Sequence, residues 1–165
     1  MKKIKRIVVS LALCCFTAFT TVPVFAATAK IQSWHLVDSG KHLDWSGSSA
    51  YIGQFQGAVD EWNGYKSGVI RKDTAATIKD VTISDYTEKS NVAGVTSSSG
   101  TIRFNTYKMG DYTIAKRRYV CTHELGHALG LAHNQSGDVM YQYVSSVTHL
   151  SSNDKASYDK SYKRY

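Results

Sequence analysis

"HELGHALGLAH", His123 to His133, sets three histidines, one glutamate and two glycines within eleven residues. His123 and His127 are four apart, so on a helix both imidazoles stand on one face, one turn apart, and can reach one ion. Glu124 flanks that pair and can reach a water on the ion without being a ligand, the arrangement H-E-x-x-H. Gly130 tolerates the left-handed conformation that ends a helix. Were the helix to continue, residue 133 would lie about 9 Å along the axis from residue 127, at 1.5 Å per residue. A turn at Gly130 brings His133 back towards the same ion. Three imidazoles leave the fourth position of a tetrahedral zinc open, which marks a catalytic rather than a structural site. An amphipathic helix with surface histidines accounts for neither Gly130 nor His133.

Working outward, the apolar spacing predicts the remaining elements. "KIQSWHLV" alternates weakly and reads as a first strand. "SSAYIGQFQGAVDEWNGYKSG" carries Ile52, Phe55, Val59 and Trp62 at helical spacing, with Ser48 or Ser49 to cap it and Gly64 or Gly68 to end it. "GVIRK", "KDVTISDY", "NVAGVT" and "GTIRFNTY" read as strands, the last two joined by "SSSG". Asp111 or Thr113 caps a second helix running to about Gly130. A loop containing "DVMYQY" follows, and "LSSNDKASYDKSYKRY" ends the chain as a helix with a capping-box-like Ser151 and Asp154. Strand, helix, several strands, helix, loop, helix is an α+β order with helices packed on one sheet.

The first residues stand apart. "MKKIKR" is basic, an apolar run follows, and Val24 and Ala26 suit cleavage before Ala27. This reads as a secretory signal peptide over residues 1–26, against the alternative of an uncleaved anchor. Removing 26 of 165 residues leaves 139, Ala27 to Tyr165, which suits a single domain. Without the four basic residues of the leader, 16 Lys+Arg face 13 Asp+Glu, a net of +3 in place of +7. That balance gives little support to nucleic-acid binding. Of three cysteines only Cys121 remains, so no intramolecular disulfide can form, and two residues before His123 it reads as a small buried hydrophobe. No second apolar span follows, so no stable membrane association is expected after cleavage.

Met140 lies seven residues after His133. The long histidine motif with a downstream methionine resembles the metzincin zinc endopeptidases, which pair it with a Met-turn. Within them "HELGHALGLAH" is most similar to the matrixin helix. "DVMY" resembles the matrixin Met-turn, and "LSSNDKASYDKSY" the start of the last helix. The close matches cover about Ile114 to Tyr162. The resemblance implies a metzincin-like zincin with a twisted mixed sheet, two long helices and a C-terminal helix. It implies one catalytic zinc on His123, His127 and His133, Glu124 as general base, and Met140 as the Met-turn residue. It further implies substrate added as a strand along the backbone of Ala93, Gly94 and Val95. Asp154 is open between a tie to the Met-turn region and a simple acid in a helix cap.

Departures accompany the resemblance. No histidine lies between Asp44 and Thr122, so the second, structural zinc of many matrixins is not expected. His35, His42 and His149 read as structural or surface residues, and no convincing acidic loop indicates a structural calcium. Gln142 stands where matrixins usually have a proline after the Met-turn. No latency segment is evident between the leader and the first fold elements. The expectation is a secreted, extracellular, monomeric zinc endopeptidase acting on protein or peptide substrates. The rivals are a zinc-dependent cell-wall amidase and a catalytically silent zinc-binding interaction module.

Overall fold

The computed structural model describes residues 26–165. All but the last residue of the expected leader lies outside them. Five strands form one sheet: β1 (Leu43–Gly47), β2 (Ile70–Lys72), β3 (Val81–Tyr86), β4 (Gly94–Ser97) and β5 (Thr101–Asn105), in the order β2-β1-β3-β5-β4. All neighbours are parallel except β4, which runs antiparallel to β5 and forms an edge. The helices are α1 (Ile52–Tyr65), a single turn α2 (Thr106–Met109), α3 (Ile114–Ala128) and α4 (Ser152–Tyr162). The fold is thus α+β, a mixed sheet with two long helices and a C-terminal helix. Among the described residues no helix is long and apolar enough to cross a membrane.

Helix α1 buries Phe55, Ala58, Val59 and Trp62 against the sheet and α3. Phe55 meets Trp45 of β1 edge-on with centroids 5.0 Å apart, and Phe104 of β5 at 6.2 Å. Ile52 was expected in this stripe but is 42 % exposed. Tyr51, one residue earlier, covers that end of the core, its ring edge-on to Phe104 at 6.3 Å. Ser49 accepts from Tyr51 N at 3.0 Å, so it orders the approach to α1 without being the cap residue itself.

The expected strand "KIQSWHLV" is not one. Lys30 to Val37 makes a single bridge, Ile31 with Leu131, and otherwise bonds to the end of α3 and the turn after it. Gln32 N donates to Gly130 O at 3.0 Å and Leu36 N to Ala128 O at 2.8 Å. A helix end offers scattered carbonyls rather than a ladder, so the segment is extended without joining a sheet. The first strand is instead "LDWSG". Its Asp44 is 2 % exposed and looks foreign to a buried strand, but Arg71 on β2 forks onto it at 2.8 and 2.7 Å. Such a bidentate pair makes a buried carboxylate tolerable.

Trp62 joins three layers. It is fully buried, donates from Nε1 to Thr122 O on α3 at 2.9 Å, and stands edge-on to Tyr158 of α4 with centroids 5.3 Å apart. Trp62→Ala is expected to cost about 3–5 kcal/mol, the range for truncating a buried aromatic. Urea unfolding followed by circular dichroism measures it, and a loss below about 1 kcal/mol would mean that the helices do not depend on this contact.

Candidate functional site

Thr113 caps α3, accepting from Lys116 N at 3.3 Å, and the helix runs to Ala128. Leu131 N then returns to Gly126 O at 2.9 Å and Gly130 N to His127 O at 2.9 Å. This closure requires φ +88° at Gly130. A Cβ there would also sit 2.5 Å from Ser161 Oγ and 3.1 Å from Trp34 O, so only glycine suits the turn on both counts. The chain reverses and carries His133 back beside the helix.

His123, His127 and His133 end with ligand nitrogens within 4.8 Å of one another and ring centroids 4.7 to 5.2 Å apart. Nδ1 of His123 lies 2.8 Å from Val139 O, and Nδ1 of His127 lies 2.9 Å from Leu131 O. A carbonyl can only accept, so Nδ1 carries the proton in both rings and Nε2 keeps its lone pair. Two rings fixed in that tautomer and a third beside them are a donor set suited to zinc. Burial, with some repulsion from His127, holds the His123 pKa down at about 3. Burial also lowers His127 and His133, so all three rings are neutral at pH 7.

Met140 is fully buried and follows Val139, whose carbonyl meets His123. A Cβ on Gly126 would meet Met140 Sδ at 2.3 Å and Trp62 Cζ2 at 3.1 Å, so the first glycine of the motif leaves the room that the methionine fills. Asp154, also fully buried, accepts from Val139 N at 2.9 Å and Met140 N at 3.1 Å. The same carboxylate accepts from Ser151 N at 2.9 Å while Ser151 Oγ accepts from Asp154 N. One side chain both completes the capping box of α4 and ties it to the turn at Val139 and Met140.

Glu124 is 5 % exposed. Burial pushes its carboxyl up to about 7, while a hydrogen bond from Thr96 pulls the other way. Thr96 Oγ1 lies 2.7 Å from Glu124 Oε2, and a Cβ on Gly94 would come within 2.9 Å of Oε1. The carboxyl is therefore held directly beneath the edge strand β4. Asn105 N donates to Ala93 O at 2.9 Å, which turns the Ala93 carbonyl inward. With Gly94 opposite Phe104, the antiparallel alternation turns Val95 inward too and leaves the backbone groups of Gly94 and Thr96 facing outward. Of Ala93, Gly94 and Val95, the segment expected to receive an extended ligand, only Gly94 thus presents free backbone groups, and Thr96 joins it.

A cleft of about 490 Å³ connects these parts. Its lining includes Gly94, Thr96, His123, Glu124, His127, His133, Gln142 and Tyr143. Tyr119, which the sequence reading did not single out, fixes the stretch around Gln142 by its hydroxyl, which lies within hydrogen-bonding distance of both Tyr141 O and Tyr143 O. Only its position four before His123, on the histidine face of α3, signals it beforehand.

Cys121 is fully buried, and burial raises its pKa. It is not among the grouped ligand atoms. Nor are His35, which lies against Tyr165, and His149, which is exposed beside Glu61. Asp38, Asp44 and Asp80 do gather their carboxylates, from positions too far apart in sequence to signal it, but Arg71 already occupies Asp44.

Among models of protein families, that of the matrixins matches residues 53–163, more than half of the chain. No curated protein matches it.

Two glycines separate the demands of the turn. Gly137 has φ +94° with nothing within 4 Å of an added Cβ, whereas Gly130 is strained and crowded. Gly137→Ala is expected to cost about 1–2 kcal/mol from the backbone alone. Gly130→Ala is expected to cost more and to weaken zinc binding at least tenfold in a chelator competition titration. Equal effects of the two would remove the crowding argument.

Proposed function

The chain belongs to the matrixin family of zinc metallopeptidases, and on that premise we propose that it is a secreted zinc-dependent endopeptidase cleaving extracellular proteins or peptides. The observation that carries the reading is the convergence of three neutral imidazoles and one buried carboxyl in the lining of a single cleft, beside a sheet edge that is unpaired among the described residues. The domain is Ala27–Tyr165 after removal of residues 1–26, whose basic start, apolar run and small-residue site support secretion.

His123, His127 and His133 would hold one zinc, the first two through Nε2 with their Nδ1 protons on the carbonyls of Val139 and Leu131. Bound there, zinc supplies a Lewis acid for the scissile carbonyl and water made nucleophilic near neutral pH. Glu124 takes the proton of the attacking water on its carboxyl and passes it to the leaving amine. A carboxyl whose pKa is raised to about 7 can both accept and return a proton at neutral pH. Gly94 and Thr96 bind the substrate's backbone as an added strand, which fixes its direction across the histidines. The wall formed by Gln142 and Tyr143 contacts the residue beyond the cut bond.

Met140 closes the floor under the rings, and Asp154 holds that floor to α4. Burial keeps the histidines neutral and available. Function as a silent binding module would leave a buried carboxyl beside the ligands without a task. Nothing in the cleft favours a sugar-linked substrate over a plain peptide.

The test compares parent protein with Glu124→Gln, each carrying one zinc per chain, on a set of unfolded proteins and fluorogenic peptides. The parent is expected to cleave internal peptide bonds, with chelator abolishing the activity. The variant should lose about 10²–10⁴-fold in kcat, the usual worth of general acid–base help. Cleavage of peptidoglycan alone would favour the amidase. Zinc binding without any turnover would favour the binding module.

A further inference from the structure

Thr96 stands at the meeting of two functions. Its backbone faces the free edge of β4, where an extended ligand would add. Its side chain faces α3, as does the position of Gly94 two residues earlier, since side chains two apart in a strand share a face. Thr96 Oγ1 lies 2.7 Å from Glu124 Oε2 and 2.9 Å from Glu124 O. No other side chain among the described residues bonds to the Glu124 carboxyl.

We propose that Thr96 is a positioning residue, whose hydroxyl holds Oε2 of Glu124 so that Oε1, below Gly94, is the oxygen presented to the cleft. The proposal rests on the reading of Glu124 as the base. A buried Glu side chain has three torsions to settle, and a single charge-assisted hydrogen bond fixes the last two. The hydroxyl has one proton and two acceptors in reach. That proton goes to Oε2 of the Glu124 carboxylate, the closer of the two acceptors. Because Thr96 lies on the strand that takes the ligand, docking of substrate and placement of the base are set by one residue.

The test uses Thr96→Val, which keeps the shape and removes the hydroxyl, Thr96→Ser, which keeps the hydroxyl, and Glu124→Gln, singly and with Thr96→Val. Each is read for zinc content, kcat, KM and, in the metal-free protein, thermal midpoint. Thr96→Val is expected to lower kcat about tenfold or more, with KM within about twofold and zinc unchanged. Thr96→Ser should recover most of kcat, and Thr96→Val should cost nothing further in kcat on top of Glu124→Gln. In unfolding, the two single substitutions should be clearly non-additive. If Thr96→Val does not fold, Thr96→Ala replaces it in every arm. An active parent with Thr96→Val equal to it, a loss that Thr96→Ser does not recover, or additive midpoints would each overturn the assignment. A parent with no peptidase activity would instead sink the reading of Glu124 as base, and the unfolding cycle would still decide whether Thr96 holds it.

Discussion

The site depends on one constraint: α3 must stop after Ala128 and turn back at Gly130. A helix end leaves carbonyls without partners, and if buried they must be satisfied from elsewhere. Here each finds a donor. Leu131 N bonds to Gly126 O, Gly130 N and Gln32 Nε2 to His127 O, and Leu36 N to Ala128 O. Ser161 Oγ and the Tyr165 hydroxyl take Leu129 O, and Gln32 N takes Gly130 O. Residues from both ends of the described chain thus brace the turn that carries His133. The N-terminal stretch is extended because it serves this helix end, and α4 is where it is because Ser161 serves the same end.

A second level of order follows from that turn. It brings Leu131 O onto His127 Nδ1, and the loop beyond brings Val139 O onto His123 Nδ1. The backbone that delivers the third histidine therefore also orients the first two. Asp154 in turn holds Val139 and Met140 by their N–H groups, so the carbonyl that orients His123 is itself anchored to α4. Ligand geometry, floor and C-terminal helix form one connected set of hydrogen bonds.

The histidine motif was legible because its logic is local: helix spacing and one glycine act over eleven residues. The strands "GVIRK", "KDVTISDY" and "GTIRFNTY" and the cap at Thr113 were legible for the same reason. What escaped reading depends on partners far along the chain. "KIQSWHLV" alternates like a strand, but its partners are helix carbonyls about 95 residues away. "LDWSG" hid behind Asp44, whose burial is tolerable only with Arg71 beside it. Thr96 and Glu124 are 28 residues apart, and only the placement of β4 over α3 joins them. The place where a Cβ on Gly126 would stand is filled by Met140, a contact that no local pattern signals. Asp154 was open between two duties and performs both hydrogen-bonding tasks at once.

Helix, glycine turn and returning loop assemble a site of three imidazoles and no thiolate. Zinc-edge X-ray absorption on protein carrying one zinc per chain reads the donors directly. The account predicts three imidazole nitrogens and one solvent oxygen, all at about 2.0–2.1 Å, with no sulfur. A sulfur shell at about 2.3 Å, or a fourth ligand from the protein closing the site, would contradict it.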